Sequence, residues 1–199
     1  MKVGYNMHKF EDIWAIMGEN AILGKEKSYN LYNELIGTAS VPGCMAEIGV
    51  YKGQTAKLMH LTLPEKVLHL YDTFTGIVES DPLVDFHKNG DFNDTSLESV
   101  QNLVGFDEVF YHIGMFPDVF KELKEVFSFV HSDTDTYFGT KATLDYILPR
   151  LSVGGKLIFD DYNWDSCPGV KKALDEFMET NVKSIKITVY QHQFVIKML

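Results

Sequence analysis

The chain has 199 residues, 45% of them apolar and 23% charged, and its 18 basic and 28 acidic side chains leave a net charge of −10. That length suits one well-cored domain over residues 1–199, and the acidic balance disfavours nucleic acid or an anionic membrane surface as a partner. Cys44 and Cys167 match no metal or disulfide spacing, no apolar run reaches the ~18 residues of a membrane span, and no secretory pattern opens the chain, so a cytoplasmic protein is expected.

In chain order, FEDIWAIMG and KEKSYNLYNELIG predict two helices, an N-terminal helical cap within residues 1–40 that could support a homodimer. Short apolar runs then alternate with segments of helical period. Strands are expected over 44–50, 67–74, 108–114, 127–133 and 155–161, and helices over 53–61, 95–104, 116–126, 138–151 and 168–180. Such alternation predicts a parallel sheet with helices on both faces, and strands apolar throughout fit burial on both faces. Two last strands, 184–190 and 193–199, are separated by Gln191 and His192 alone. So short a gap makes a hairpin, and the sheet should end with one antiparallel strand. Residues 76–94 have no clear period and carry Pro and Gly, which marks a lid or acceptor loop.

Ligands of open parallel sheets sit beyond the carboxyl ends of the strands. The first tip, AEIGVYKGQTA, brackets a strand–helix turn with Gly49 and Gly53, but it has neither GxGxxG nor a Walker Gly-Lys-Ser/Thr. Asp72 follows Gly49 by 23 residues, about the spacing at which an acid takes ribose hydroxyls; its alternative is a turn cap. Asp133 ends one strand, and Asp160 and Asp161 end another. Adjacent strand residues face opposite ways, so Asp160 and Asp161 converge only where the strand has finished and the chain turns. Three carboxylates together repel, and a hard divalent ion such as Mg2+ removes that penalty. The alternative is that Asp133 or Asp135 caps the next helix and Asp161 faces water. The seven histidines form no HxH or HExxH pattern.

These segments resemble the S-adenosylmethionine-dependent class I O-methyltransferases of the macrocin type (TylF/MycF), which methylate sugar hydroxyls. VPGCMAEIGVYKGQTA is similar to the family's first motif, YDTFTGI to D-S-F-E-G-L, and IGMFPDVF to G-W-F-x-D-T-L. VHSDTDTYFGT is similar to D-G-D-L-Y-E-S-T, and PRLSVGGKLIFDDY to P-K-L-x-x-G-G-x-x-I-x-D-D-Y. The upstream AILGKEKSYNL resembles a segment that closes over the cofactor.

The resemblance implies a Rossmann-like fold with a mostly parallel seven-stranded sheet. It also implies cofactor contacts from Ala21 and Ile22 in the closing segment, and from Glu47, Ile48, Gly49, Val50, Tyr51 and Gly53 around the methionine end. Asp72, Thr73, Phe74 and Gly76 would lie at the ribose, Gly114 near the adenine, and Asp133 beside them. Asp133, Asp160 and Asp161 would bind Mg2+. Tyr51-Lys52 departs from the family's Trp-Arg, and Phe138-Gly139 from its Glu-Ser, which bears on the acceptor.

The expected reaction is methyl transfer to a hydroxyl of a sugar or glycosylated small molecule, with Asp133 as the base. A catechol-type, cation-dependent O-methyltransferase shares the fold, and Phe86, Phe92 and Trp164 keep it open. A nicotinamide oxidoreductase and a non-catalytic binding module are the alternatives of another class.

Overall fold

The computed structural model describes residues 8–18, 21–120, 124–180 and 183–199. Two helices, α1 (Phe10–Met17) and α2 (Lys25–Ile36), precede β1 (Cys44–Ile48). Then come α3 (Gln54–Thr62), β2 (Leu68–Asp72), α4 (Leu97–Val104), β3 (Val109–Ile113) and β4 (Phe127–Ser132). The chain closes with α5 (Tyr137–Ile147), β5 (Leu151–Phe159), α6 (Pro168–Met178), β6 (Ile185–Val189) and β7 (Phe194–Met198). All seven expected strands form one sheet in the order β3-β2-β1-β4-β5-β7-β6.

The first five sheet positions are parallel, as the helical crossovers require. β7 runs antiparallel to both β5 and β6, so the antiparallel strand is the last but one rather than the edge. The reason lies in the side chains. Phe194, Val195 and Ile196 are buried, whereas β6 is only partly covered and carries Lys186 and Thr188. The strand apolar on both faces takes the inner place, and the mixed one tolerates the edge.

Neighbouring strand residues divide between two cores, as the two-residue period demands. Met45, Phe129, Ile158 and Val195 face a core shared with α1, α2, α3 and α4. Ala46, Val130, Leu157, Phe159, Phe194 and Ile196 face a second core with α5 and α6. This two-sided burial is why the strands read as near-continuous apolar runs.

Some boundaries moved. The expected helix over 138–151 stops at Ile147, and Leu148–Arg150 continues as a 3-10 turn around Pro149, so β5 starts at Leu151. Pro149 lacks the amide a continuing helix needs. The helix expected over 116–126 is, within the described residues, a 3-10 turn at Asp118–Phe120; residues 121–123 lie outside them. Burial of Phe116 and Phe120 against Tyr71 and Tyr146 organises that segment instead. Among the described residues, no helix is long and apolar enough to cross a membrane.

Leu157 is fully buried at the centre of the second core. Leu157→Ala is expected to lower unfolding free energy by about 2–5 kcal/mol, read from urea denaturation; a loss under about 1 kcal/mol would contradict this packing.

Candidate functional site

The chain leaves β1 for β2 on one side and returns to β4 on the other, so β1 and β4 flank the switch in strand order. A cavity of about 580 Å³ opens beyond their carboxyl ends. Its lining includes Ile22, Glu47, Ile48, Gly49, Val50, Tyr51, Gly53, Asp72, Thr73, Gly76, Gly114, Asp133, Asp160 and Asp161. Ala21 and Phe74 are buried beside it and are not part of the lining.

The backbone is arranged before any ligand arrives. Gly49 has φ +84°, and a Cβ there would fall 2.1 Å from the Asp133 carbonyl oxygen. Only glycine lets the tips of β1 and β4 meet this closely. The Asp72 carboxylate supports the same turn from the end of β2. Its Oδ2 accepts the amides of Val50 (2.6 Å) and Tyr51 (2.8 Å), and its Oδ1 accepts that of Phe74 (2.7 Å). A carboxylate has about four acceptor positions, so these three bonds leave roughly one for a ligand. Asp72 is therefore first of all the brace of the β1–α3 turn.

Glu47 is 1% exposed, and its Oε1 lies 3.1 Å from Nδ1 of the fully buried His131. Burial pushes the Glu47 carboxyl above its ordinary range, and His131 opposes the shift. Among the described residues, Glu47 Oε2 and His131 Nε2 have no hydrogen-bond partner.

At the far wall the acids gather. β5 ends at Phe159, the Asp160 amide still donates to Ser132 O (2.9 Å), and Asp161 then takes φ +60°. The ladder ends between the two acids, so both carboxylates reach one cavity. Lys27 of α2 donates to Asp160 Oδ2 (3.0 Å) and Asp161 Oδ1 (2.5 Å), with Trp164 flanking its ammonium at 5.0 Å. Burial disfavours the Lys27 ammonium, but Asp160 and Asp161 outweigh it and hold its pKa above the ordinary lysine range.

Carboxylate oxygens of Asp133, Asp135 and Asp161 lie within 4.8 Å of one another. Asp160 is 3% exposed and bonded to Lys27, and its Oδ1 has no partner among the described residues. Burial, then the neighbouring aspartates, raise Asp133 well above the usual carboxylate range; Asp160 rises for the same reasons. Burial and then Asp161 push Asp135 up to about 7. One ammonium facing four acids leaves negative charge uncompensated, and the raised pKa values express that deficit.

Asp135 and Lys27 were missed as site residues. The helix after β4 is capped by Thr136, whose Oγ1 accepts the Gly139 amide (3.1 Å), which frees Asp135 to face the cavity. The second acid of Asp133-Thr134-Asp135 was the available signal. Lys27 gave none, because its partners lie 133 and 134 residues away.

A profile of the macrocin-O-methyltransferase (TylF) family matches residues 14–191, nearly the whole sheet with its helices. The chain belongs to this family. The TylF match is joined by curated relatives. The "demethyldecarbamoylnovobiocin O-methyltransferase" of Streptomyces niveus is 29% identical over 72% of this chain and 61% of its own length. A "8-demethyl-8-(2,3-dimethoxy-alpha-L-rhamnosyl)-tetracenomycin-C 4'-O-methyltransferase" of Streptomyces olivaceus is 28% identical over 67% of this chain and 58% of its own. The chain thus spans about three fifths of the length of these TylF-like relatives. The solved O-methyltransferase NovP shares the fold with a TM-score of 0.76 at 24% identity, covering 88% of this chain and 80% of that one. The architecture is the class I, Rossmann-like methyltransferase fold.

The raised acid pKa values have a consequence for stability. A carboxyl titrating at about 7 when folded and near 3.8 when unfolded makes the native state bind the extra proton between those values. Its stability contribution is therefore present at low pH and lost as pH rises towards 7. Asp135→Asn, measured by urea unfolding in chelator, is expected to exceed the original protein in stability above pH ~7, with the difference shrinking towards pH ~4. A difference that grows on acidification would contradict this reading.

Proposed function

We infer that this chain is an S-adenosylmethionine-dependent O-methyltransferase that acts on a hydroxyl of a sugar or glycosylated small molecule with the help of Mg2+. The observation that carries it is the triangle of Asp133, Asp135 and Asp161 oxygens at the wall of the cavity beyond β1 and β4. Family membership supports the methyl donor, and the rhamnosyl group in one relative's name supports a sugar acceptor.

The donor set fits a hard divalent ion: the ligand atoms are all oxygens, and their charge is under-compensated. Asp133, Asp135 and Asp161 would hold the ion, and Asp160, with its free Oδ1, stands beside them. When bound, Mg2+ would lower the pKa of an acceptor hydroxyl and the sulfonium cofactor would supply the methyl group.

The remaining work falls to the chain's own groups. The glycine-shaped β1–α3 turn and Glu47 would receive the amino-acid end of the cofactor, and Asp72 has an acceptor position left for a ribose hydroxyl. Asp133 would take the proton from the acceptor hydroxyl, so that the acceptor oxygen gains the methyl group the bound cofactor would supply, the cofactor being left as a neutral thioether. Asp135 is the second candidate for that role, because its carboxylate oxygen lies in the same cluster, within 4.8 Å of those of Asp133 and Asp161. The 76–94 loop closes the acceptor side, pinned where the Gly90 amide donates to Ile77 O (2.7 Å), with Leu83 and Phe86 exposed on it (90% and 67%). Phe92 packs edge-on against Tyr51 and lines the cavity with Trp164, whereas Phe86 is not part of the lining, so the three aromatics do not form one clamp.

The deciding experiment incubates the protein with methyl-labelled cofactor, Mg2+ and separate glycosides, nucleotide sugars and catechols. Label is expected on a sugar hydroxyl and lost with chelator; transfer only to catechols, or equal transfer in chelator, would sink the reading. Asp161→Asn should abolish turnover while leaving cofactor affinity within a few fold by calorimetry. Asp72→Ala should instead weaken cofactor binding ~10-fold or more, through the lost ribose contact and the unbraced turn; unchanged affinity would remove that assignment.

A further inference from the structure

His87, Asp135 and Cys167 come from the 76–94 loop, the turn after β4 and the start of α6. An imidazole nitrogen, a carboxylate oxygen and the thiol sulfur of these residues lie within 4.8 Å of one another. We propose that they form a site for a borderline-soft divalent cation of the Zn2+ class, adjoining the all-oxygen cluster and sharing Asp135 with it.

The donor chemistry separates the two sites. Sulfur, nitrogen and one oxygen, with a fourth position left for water, is a three-ligand pattern that Zn2+ accepts in tetrahedral geometry. A hard ion gains little from the sulfur and prefers the three carboxylates next door. Cys167 is buried, and its thiol donates to Asp135 Oδ1 at 3.3 Å, so these two ligands already face each other. Asp91 Oδ2 lies 3.6 Å from His87 Nδ1, beyond hydrogen-bond reach but close enough to add negative potential beside a bound cation.

The approach of His87 to Cys167 is held by the fold. Asp85, two residues before His87, accepts the Tyr137 amide at 2.8 Å. Gly169, two residues after Cys167, sits so close that a Cβ there would fall 1.8 Å from Asp85 Oδ1. One anchor thus fixes the loop on both α5 and α6 and sets His87 over Cys167. All three ligands line the cavity, which gives an ion its way in.

Binding exchanges a proton for the ion. The S–H bond breaks, the sulfur binds the metal, and the proton leaves to solvent, as does any proton still on the Asp135 carboxyl; His87 donates through a ring-nitrogen lone pair, and no oxidation state changes. The bound ion ties the loop to the start of α6 and withdraws Asp135 from proton transfer. Zn2+-class ions should therefore inhibit at concentrations where Mg2+ does not.

Co2+ is the probe, added to the reduced, metal-free protein. One equivalent is expected to give a thiolate-to-cobalt charge-transfer band in the near ultraviolet and the intense visible bands of a four-coordinate ion. Cys167→Ser should abolish the charge-transfer band and Cys44→Ser should leave it. His87→Ala, a change on a surface loop, should weaken Co2+ binding by more than ~10-fold. Equimolar Zn2+ should bleach the bands and equimolar Mg2+ should not. No charge-transfer band in the original protein, a band that survives in Cys167→Ser, displacement by Mg2+, or unchanged affinity in His87→Ala would each overturn the site. If Cys167→Ser does not fold, His87→Ala decides alone.

Discussion

Four aspartates converge where the sheet ends, and among the described residues one lysine, from α2, reaches them. Like charges at this spacing cannot all ionise in a partly dry cavity without a counter-charge. Lys27 supplies one positive charge, which requires α2 to lie along β5 in a fixed register. Lys156, near the middle of β5, pairs with Glu34 at 2.6 Å and donates to the Glu34 carbonyl at 2.9 Å. Tyr190, just after β6, also bonds to Glu34. Glu34 and Lys27 are separated by about two helical turns, roughly 10 Å, and Lys156 and Asp160 by about 13 Å of strand. The clamp at one end of α2 therefore delivers the ammonium to the acids at the other, with the helix antiparallel to the strand.

The opposite side of the cavity depends on backbone rather than charge. Asp72 draws the amides of Val50 and Tyr51 towards the end of β2, and Gly49 lets β1 and β4 close on each other. One side is a rigid turn braced by a carboxylate, and the other a cluster of acids with charge to spare. The family match supports a methyl-donating cofactor in this cavity; the hard cation belongs to the proposed function and rests on the acids alone.

Much of this architecture was legible in the chain. Strand–helix alternation led to the parallel sheet, because strands buried on both faces must be apolar at every position. Asp133, Asp160 and Asp161 stood out because acids are costly at the ends of such strands. Asp135 was harder to read: an acid before a helix is an ordinary cap, and only the Thr136 cap releases it to the cavity. His87 and Cys167 looked unrelated, since a loop without period carries no signal of where it will dock.

The periodicity of its apolar residues determined how this chain layers and which strand ends would carry acids, because burial on two faces is a local demand on each strand. The two-residue gap before the last strand likewise determined a hairpin, though the relative burial of its strands decided which one lies inside. Lys27 between Asp160 and Asp161, Asp72 beneath the β1–α3 turn and His87 over Cys167 were decided only by the tertiary structure. Electrostatic and ligand-like contacts act through space over a few ångströms, and sequence separation says nothing about that distance until the helices have packed.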